Sequence, residues 1–370
     1  MKKSVYRERI AAFRSKLSDH AADTAWVVQP ENRRYLSGFK AEDGQINESS
    51  GCLLINAKAC ILITDSRYTI EAQKDAPDFD VYTLKKGFIE DFPGLVAKTG
   101  AKILGFEEEY VTWGLQRQLA SGLKKLVKPV RLTPLKGSVE DMRIIKDRAE
   151  VKAVKAAAVM MDEILAEVIE GLEPGLMEKE IAWHIESLAR QKGADDLAFP
   201  SIVASGPNGA LPHAVPSRRK IREKEPIVFD VGIRLNGYRS DMTRTVFLGE
   251  PGPKFRKIYR TVRKAQLAAL EVVLPGIKST FPDSVARDLI KEAGFGEYFG
   301  HALGHGVGLA THERPRLAPR NPVELKEGMI VTVEPGIYLP GKGGVRLEET
   351  VVIEKDGPRI LTMDDHLYDF

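Results

Sequence analysis

The sequence predicts an α/β (α+β) protein of two domains, residues 1–135 and 140–370, the second built from two similar halves in an internal pseudo-twofold repeat. Three observations carry this expectation. A chain of 370 residues that is 43% hydrophobic is long enough for two cores rather than one or three. Its first third alternates short helix-like and strand-like patterns. From residue 148 onward, an order of two helices followed by strands occurs twice at nearly constant offset.

Taken in order, residues 5–18 read as a charged amphipathic helix, "TAWVVQ" as a strand and "ENRRYLSG" as a short helix. "GCLLINA" and "CILITD" follow as strands, "RYTIEAQKDA" as a helix, "KILGFE" as a strand and "WGLQRQLASGL" as a helix. The segment "PVRLTPLKGSVEDMR" reads as the connection to the second domain. There the first half runs through helices at 148–171 and 176–192 and strands "PIVFDVG" and "SDMTRTVFLG". The second runs through helices at 254–273 and 281–293 and strands "MIVTVEPG" and "GVRLEETVVI".

Bulk properties exclude several classes. Lys+Arg 55 against Asp+Glu 52 leaves a net charge of +3, too balanced and too dispersed for a nucleic-acid or anionic-membrane partner. The basic run "PSRRKIREK" is expected to be a solvated loop face. The chain has no 18-residue apolar stretch, and its N-terminus lacks the apolar core of a secretory signal, so a cytoplasmic protein is expected. Cys52 and Cys60 stand alone in one apolar segment and are expected to be buried free thiols.

The repeat carries acids as well as elements. Pro174 and Pro275 are 101 positions apart, Asp230 and Glu334 104, and Asp241 and Glu348 107. Carboxylates inside apolar strands are unfavourable unless paired or bound to metal. A two-residue hairpin at Asn236-Gly237 would pair residues whose numbers sum to 473, placing Asp230 opposite Thr243 and Asp241 opposite Gly232, with both acids on one face. Two carboxylates ~4 Å apart repel by about 4 kcal/mol at an effective dielectric near 20, a conflict that a cation removes. In "GGVRLEETVVIE", period two puts Arg346, Glu348 and Thr350 on one face and leaves Glu349 on the other, expected to be solvated. Glu334 ends a strand just before Pro335, and His305 stands among glycines that leave its imidazole uncovered. Four carboxylates and one imidazole suit Mn, Co, Fe or Zn, and their charge balances two divalent cations sharing a bridging hydroxide.

The stretches "FDVGIRLNGYRSDMTRT", "GHALGHGVGLATHE", "VEPGIY" and "GVRLEE" closely resemble the motifs of the M24 metallopeptidases, a family with the pita-bread fold. "ENRRYLSGF" and "LITDSRY" resemble the creatinase-like N-terminal domain of its Xaa-Pro branch, which holds aminopeptidase P and prolidase. The resemblance implies that Asp230 and Asp241 bind one metal, that His305 and Glu334 hold another, and that Asp241 and Glu348 bridge them. It implies Glu334 as general base, His312 as the group that stabilises the tetrahedral intermediate, and His213 and His301 as pocket residues that handle substrate. Arg346 is expected to orient Glu348, and Tyr338 either to pack against the sheet or to line the pocket. Arg314 and Arg316 are open between pairing with a substrate carboxylate and lying exposed. No motif supports His20, His184 or His366.

The implied activity is hydrolysis of the bond between an N-terminal residue and a following proline, with two divalent metal ions per subunit, manganese first and cobalt or zinc as alternatives. The resemblance also implies a homodimer. A methionine aminopeptidase, a non-catalytic peptide-binding protein and a metal-free amidinohydrolase are the competing readings on this scaffold. The complete ligand set and the added N-terminal domain weigh against them.

Overall fold

The computed structural model describes residues 4–45, 48–363 and 366–368. It divides into two compact units, Met1–Arg143 and Ile144–Phe370. Among the described residues, no helix is long and apolar enough to cross a membrane.

In the first unit, α1 (Val5–Lys16), β1 (Thr24–Val27), α2 (Pro30–Ser37), β2 (Cys52–Asn56), β3 (Cys60–Thr64) and α3 (Thr69–Asp75) follow the expected order. After them come β4 (Asp80–Thr83), α4 (Phe88–Thr99), β5 (Ile103–Phe106), α5 (Trp113–Lys124), β6 (Arg131–Pro134) and α6 (Ser138–Arg143). The strands form one mixed sheet in the order β4-β3-β2-β1-β5-β6. Helix α2 starts where the φ of Pro30 suits a first turn and the Gln29 side chain caps the Asn32 amide. It stops at Gly38, whose φ of 87° only glycine adopts without strain.

Helix α4 does not stand out in the sequence because Gly87 and Pro93 look like breakers. The spacing of Phe88, Phe92, Leu95 and Val96 nonetheless lays an apolar stripe against the sheet, where the Phe92 ring packs at 5.0 Å, tilted, on the buried Trp26. The segment expected as a connection, 129–143, instead contributes β6 and α6. Strand β6 pairs with β5 at the sheet edge, where a terminal proline is tolerated. Of the two thiols, Cys52 is buried and Cys60 only half-buried.

The second unit opens with α7 (Arg148–Glu170), whose Asp147 and Glu150 form a reciprocal capping box, and α8 (Glu178–Gln191). Strands β7 (Asp196–Leu197), β8 (Ile202–Ser205), β9 (Pro226–Val231), β10 (Ile233–Leu235), β11 (Tyr238–Arg239) and β12 (Met242–Phe247) complete the first half. The second half repeats the order with α9 (Pro253–Glu271), α10 (Thr280–Glu292), β13 (Gly304–Gly306), β14 (Glu313–Leu317), β15 (Ile330–Val333), β16 (Gly336–Leu339), β17 (Gly343–Arg346), β18 (Glu349–Glu354) and β19 (Gly357–Ile360). Its antiparallel sheets order β12-β9-β8 and β11-β10-β7 in the first half and β14-β13-β15-β18-β19 and β16-β17 in the second. Each half has its own apolar core between its helix pair and its sheet.

The hairpin register is the expected one: Asp230 pairs with Thr243, and Leu235 with Tyr238. Asn236 and Gly237 have φ of 51° and 84°, the two left-handed residues that a type I′ turn requires. The strand breaks at Gly232. A Cβ there would lie 2.2 Å from the Ser240 carbonyl oxygen, so glycine permits a close backbone approach.

The last ligand-bearing stretch is also not one strand. Strand β17 ends at Arg346 and pairs with β16, whereas β18 begins at Glu349 and pairs with β15. Glu348 sits between them, its amide donating to the Thr243 carbonyl at 3.0 Å. The alternation of faces survives, but the second face is not solvent. Glu349 is only 3% exposed, ion-paired at 3.1 Å with the fully buried Arg244, and it accepts a hydrogen bond from Thr362.

Candidate active site

A cavity of about 500 Å³ opens in the second unit. Its floor comes from strand ends. β9 supplies Asp230, β12 is preceded by Asp241, β13 carries His305, β15 is followed by Glu334, and the β17–β18 link carries Glu348. Loops supply His213, His301 and His312, while β14, β16 and β17 supply Arg316, Tyr338 and Arg346. All five ligand candidates, the three pocket histidines, Tyr338 and Arg346 thus border one cavity. Arg316 lines it, whereas Arg314 does not and His184 stands exposed on α8.

Ligand-type atoms of Asp241, His305 and Glu348 all lie within 4.8 Å of one another. His305 Nε2 is 3.7 Å from Asp241 Oδ2 and 3.4 Å from Glu334 Oε1. Its Nδ1 lies 3.1 Å from the Gly306 carbonyl, which can only accept. The proton therefore sits on Nδ1, and the Nε2 lone pair points at the acids, as a metal ligand requires. Burial, and then His312, lower the His305 pKa to about 4 and keep the ring neutral.

The acids are under the opposite pressure. Burial, followed by repulsion from Glu348, Asp230 and Glu334, raises Asp241 well above the ordinary carboxylate range. Burial and then Glu334 and Asp230 do the same to Glu348. Burial raises Glu334 to about 8 against the opposing pull of Arg346. A divalent cation offsets this penalty directly, and hard oxygen donors beside one neutral imidazole form a set that such an ion accepts. These residues fit a divalent metal.

Arg346 organises the polar side of the site. Its Nη2 donates to Asp230 Oδ2 at 2.5 Å, Nη1 to the Tyr338 hydroxyl at 2.8 Å and Nε to the Thr243 hydroxyl at 3.1 Å. Thr243 in turn donates to Glu348 Oε2 at 2.8 Å. Arg346 therefore grips Asp230 directly and reaches Glu348 through a threonine, rather than orienting Glu348 itself. Tyr338 does not merely pack, because it also lies 2.8 Å from His301 Nε2. Since His301 Nδ1 faces the Ala302 carbonyl at 2.8 Å, Nε2 accepts the tyrosine proton and the imidazole is held neutral. Burial lowers its pKa to about 4.

Two threonines escaped the sequence reading. Thr243 links Arg346 to Glu348, and Thr332 donates to Glu334 at 3.3 Å while accepting the His305 amide at 3.1 Å. The available signal was a hydroxyl residue two places from an acid in each strand. Threonine is so common in strands that this signal alone has little weight.

Buried acids delivered by two repeated sheets onto a neutral imidazole define a metallohydrolase. The chain belongs to metallopeptidase family M24, whose model matches residues 152–355, and the creatinase/prolidase N-terminal domain matches residues 9–145. It is 34% identical to an Xaa-Pro dipeptidase of Pyrococcus furiosus, over 96% of this chain and 98% of that protein. Among solved structures, an Xaa-Pro dipeptidase from Bacillus anthracis superposes with a TM-score of 0.90 at 35% identity, covering 96% of this chain and 97% of that one. An X-Pro aminopeptidase from Thermotoga maritima does so with a TM-score of 0.84 at 37% identity, covering 94% and 97%. The second unit has the pita-bread fold, and the protein uses divalent metal as its family does.

Proposed function

We propose that this protein is a metal-dependent Xaa-Pro peptidase that cleaves the bond between an N-terminal residue and a following proline. The observation that carries the reading is one cavity bordered by all five ligand-type side chains and three histidines, in a chain similar over nearly its whole length to Xaa-Pro dipeptidases. Asp230, Asp241, His305, Glu334 and Glu348 hold two divalent cations, manganese by preference, and the enzyme works as a homodimer. Bound there, the cations supply Lewis acidity toward the scissile carbonyl and make water acidic enough to ionise near neutral pH.

The chain's own residues do the remainder. Glu334 takes the proton of the attacking water and passes it to the departing proline nitrogen. His312, on the open side of the cavity, supports the developing oxyanion. His213 and His301 line the substrate pocket, and the Tyr338 bond fixes His301 as a neutral ring. Arg316 is placed to meet a substrate carboxylate. An Xaa-Pro bond has no N–H to satisfy, and Phe199, Ile202 and Pro212 give the cavity an apolar wall suited to a pyrrolidine ring.

The test is to strip the protein with chelator, reload it with manganese, cobalt or zinc, and assay Met-Pro, an Xaa-Pro tripeptide and Met-Ala while metal content is measured on the same sample. Turnover of the proline peptides alone, with about two ions per chain, is expected. Turnover of Met-Ala alone would make the protein a methionine aminopeptidase, and no turnover would make it a peptide-binding protein. Full activity in stripped protein would remove the metal from the account.

A further inference from the structure

Each half of the second unit carries a pocket histidine on a loop, and each loop is tied down by a buried carboxylate in the first turn of that half's second helix. In the first half this is Glu178, fully buried at the start of α8. Its Oε1 accepts from the Ser205 amide at 2.7 Å and the Ser205 hydroxyl at 2.8 Å. Its Oε2 accepts from the Ser217 amide at 3.1 Å and hydroxyl at 2.6 Å, and the Asn208 side chain donates to both oxygens at 3.1 and 2.9 Å. One carboxylate thus gathers both ends and the shoulder of segment 205–217, which carries Pro212, His213 and Val215 along the cavity wall.

In the second half the acid is Asp283 on α10, 1% exposed. Its Oδ1 accepts the Leu303 amide at 3.0 Å, and it pairs with Arg287 through contacts of 2.9 and 3.0 Å. Arg287 donates onward to the Phe299 carbonyl at 2.9 Å and the His301 carbonyl at 2.8 Å, closing a clasp over segment 299–303.

An acid in a first helical turn ordinarily serves its own helix. The Glu178 carboxylate accepts from Ser205, Asn208 and Ser217 of the loop, and Asp283 gives one oxygen to the Leu303 amide outside its helix. Every group facing Glu178 is a donor, so the ionised form is the one that satisfies them all. Burial pushes its pKa up, yet the bonds from Ser217 and Ser205 outweigh burial and hold it below the ordinary value.

We propose that Glu178 and Asp283 are positioning residues, which hold the His213 and His301 loops as fixed walls of the substrate pocket and thereby set substrate affinity. The effect on affinity rests on the peptidase reading above, but the fixing of the loops does not.

The test compares wild type with Glu178→Gln, Asn208→Ala and Arg287→Lys. It uses amide hydrogen exchange by mass spectrometry, metal content, and KM and kcat for Met-Pro in the manganese enzyme. Glu178→Gln turns an NH2 toward donors, so exchange in 205–217 should quicken about tenfold or more while 226–231 stays protected. KM should rise about tenfold with kcat within about twofold and metal content unchanged, the signature of lost binding common to ground and transition states. Arg287→Lys should do the same to 299–303. Asn208→Ala keeps the carboxylate and removes one donor, so it carries the test if Glu178→Gln does not fold, with smaller shifts in the same direction. Unchanged exchange in 205–217 and 299–303 would overturn the proposal, as would a loosened loop with unaltered KM, or a fall in kcat and metal content with KM intact. If the wild type cleaves no Xaa-Pro peptide, the peptidase reading fails while the exchange measurements still decide whether the clasps exist.

Discussion

Arg346 donates from Nη2 to Asp230 Oδ2 at 2.5 Å, and this guanidinium is 3% exposed beside a cluster of acids. It pairs with a carboxylate whose charge bears on Asp241, Glu334 and Glu348, each of which is raised in part by Asp230. Its planar fork also serves Tyr338 and Thr243 at once, a geometry that an ammonium does not reproduce. Arg346→Lys is therefore expected to lower kcat/KM for Met-Pro by about 10- to 100-fold, the range seen when a partner of a metal ligand is lost. Steady-state kinetics with metal titration would check this. A change under twofold would mean that the fork has no bearing on the site.

Glu349 leads to a stability prediction. A surface glutamate would tolerate alanine, but Glu349 is paired with Arg244, whose Nη1 also donates to the Thr243 and Glu348 carbonyls at 3.1 and 2.6 Å. Glu349→Ala removes a buried carboxylate partner of that cation, a loss of up to about 3–5 kcal/mol. Urea unfolding would measure the loss, and the double substitution Arg244→Met with Glu349→Leu should recover much of it.

Asp241→Asn is expected to separate binding from folding. Asp241 is 4% exposed, and its ionised form is opposed by burial and by Glu348. Replacing it with a neutral isostere removes that conflict, so the chelator-treated variant should melt no lower than chelator-treated wild type. Its rise in Tm on adding manganese should vanish together with turnover. Differential scanning calorimetry with and without metal would test both statements.

The same acids set a pH dependence for the stripped protein. Glu334 has a folded pKa raised from 4.5 to about 8, so the stability it contributes is present below 4.5 and is lost as pH rises through about 8. Asp241 and Glu348 shift in the same direction. His301 and His305, lowered from 6.5 to about 4, act in the opposite sense up to about pH 6.5, so chelator-treated protein should lose stability between about pH 6.5 and 8, and manganese should abolish that loss by holding the carboxylates ionised. Denaturant titrations across that range decide it, and a stripped protein that gains stability toward pH 8 would contradict the charge arrangement.

Much of the second unit was legible locally. Both helix pairs lie within two residues of their expected limits, because long apolar stripes at helical spacing and capping residues such as Asp147 act over a few neighbours. The register that puts Asp230 opposite Thr243 was legible as well, since only a turn with two left-handed residues suits Asn236-Gly237. In the first unit, α4 was hidden by Pro93, whose local signal was overridden by packing of Phe92 on Trp26.

By itself the sequence determined which faces carry acids, where the chain turns back, and how the two halves correspond, because period and turn chemistry are properties of adjacent residues. Only the tertiary structure decided that Glu349 faces a buried arginine instead of water, that Arg346 takes Asp230 as its partner, and that Glu178 clasps a loop some 30 residues onward. Those outcomes depend on which surfaces meet when the sheets close. A residue's face constrains its direction, whereas its neighbour across the core is supplied by chain far away in sequence.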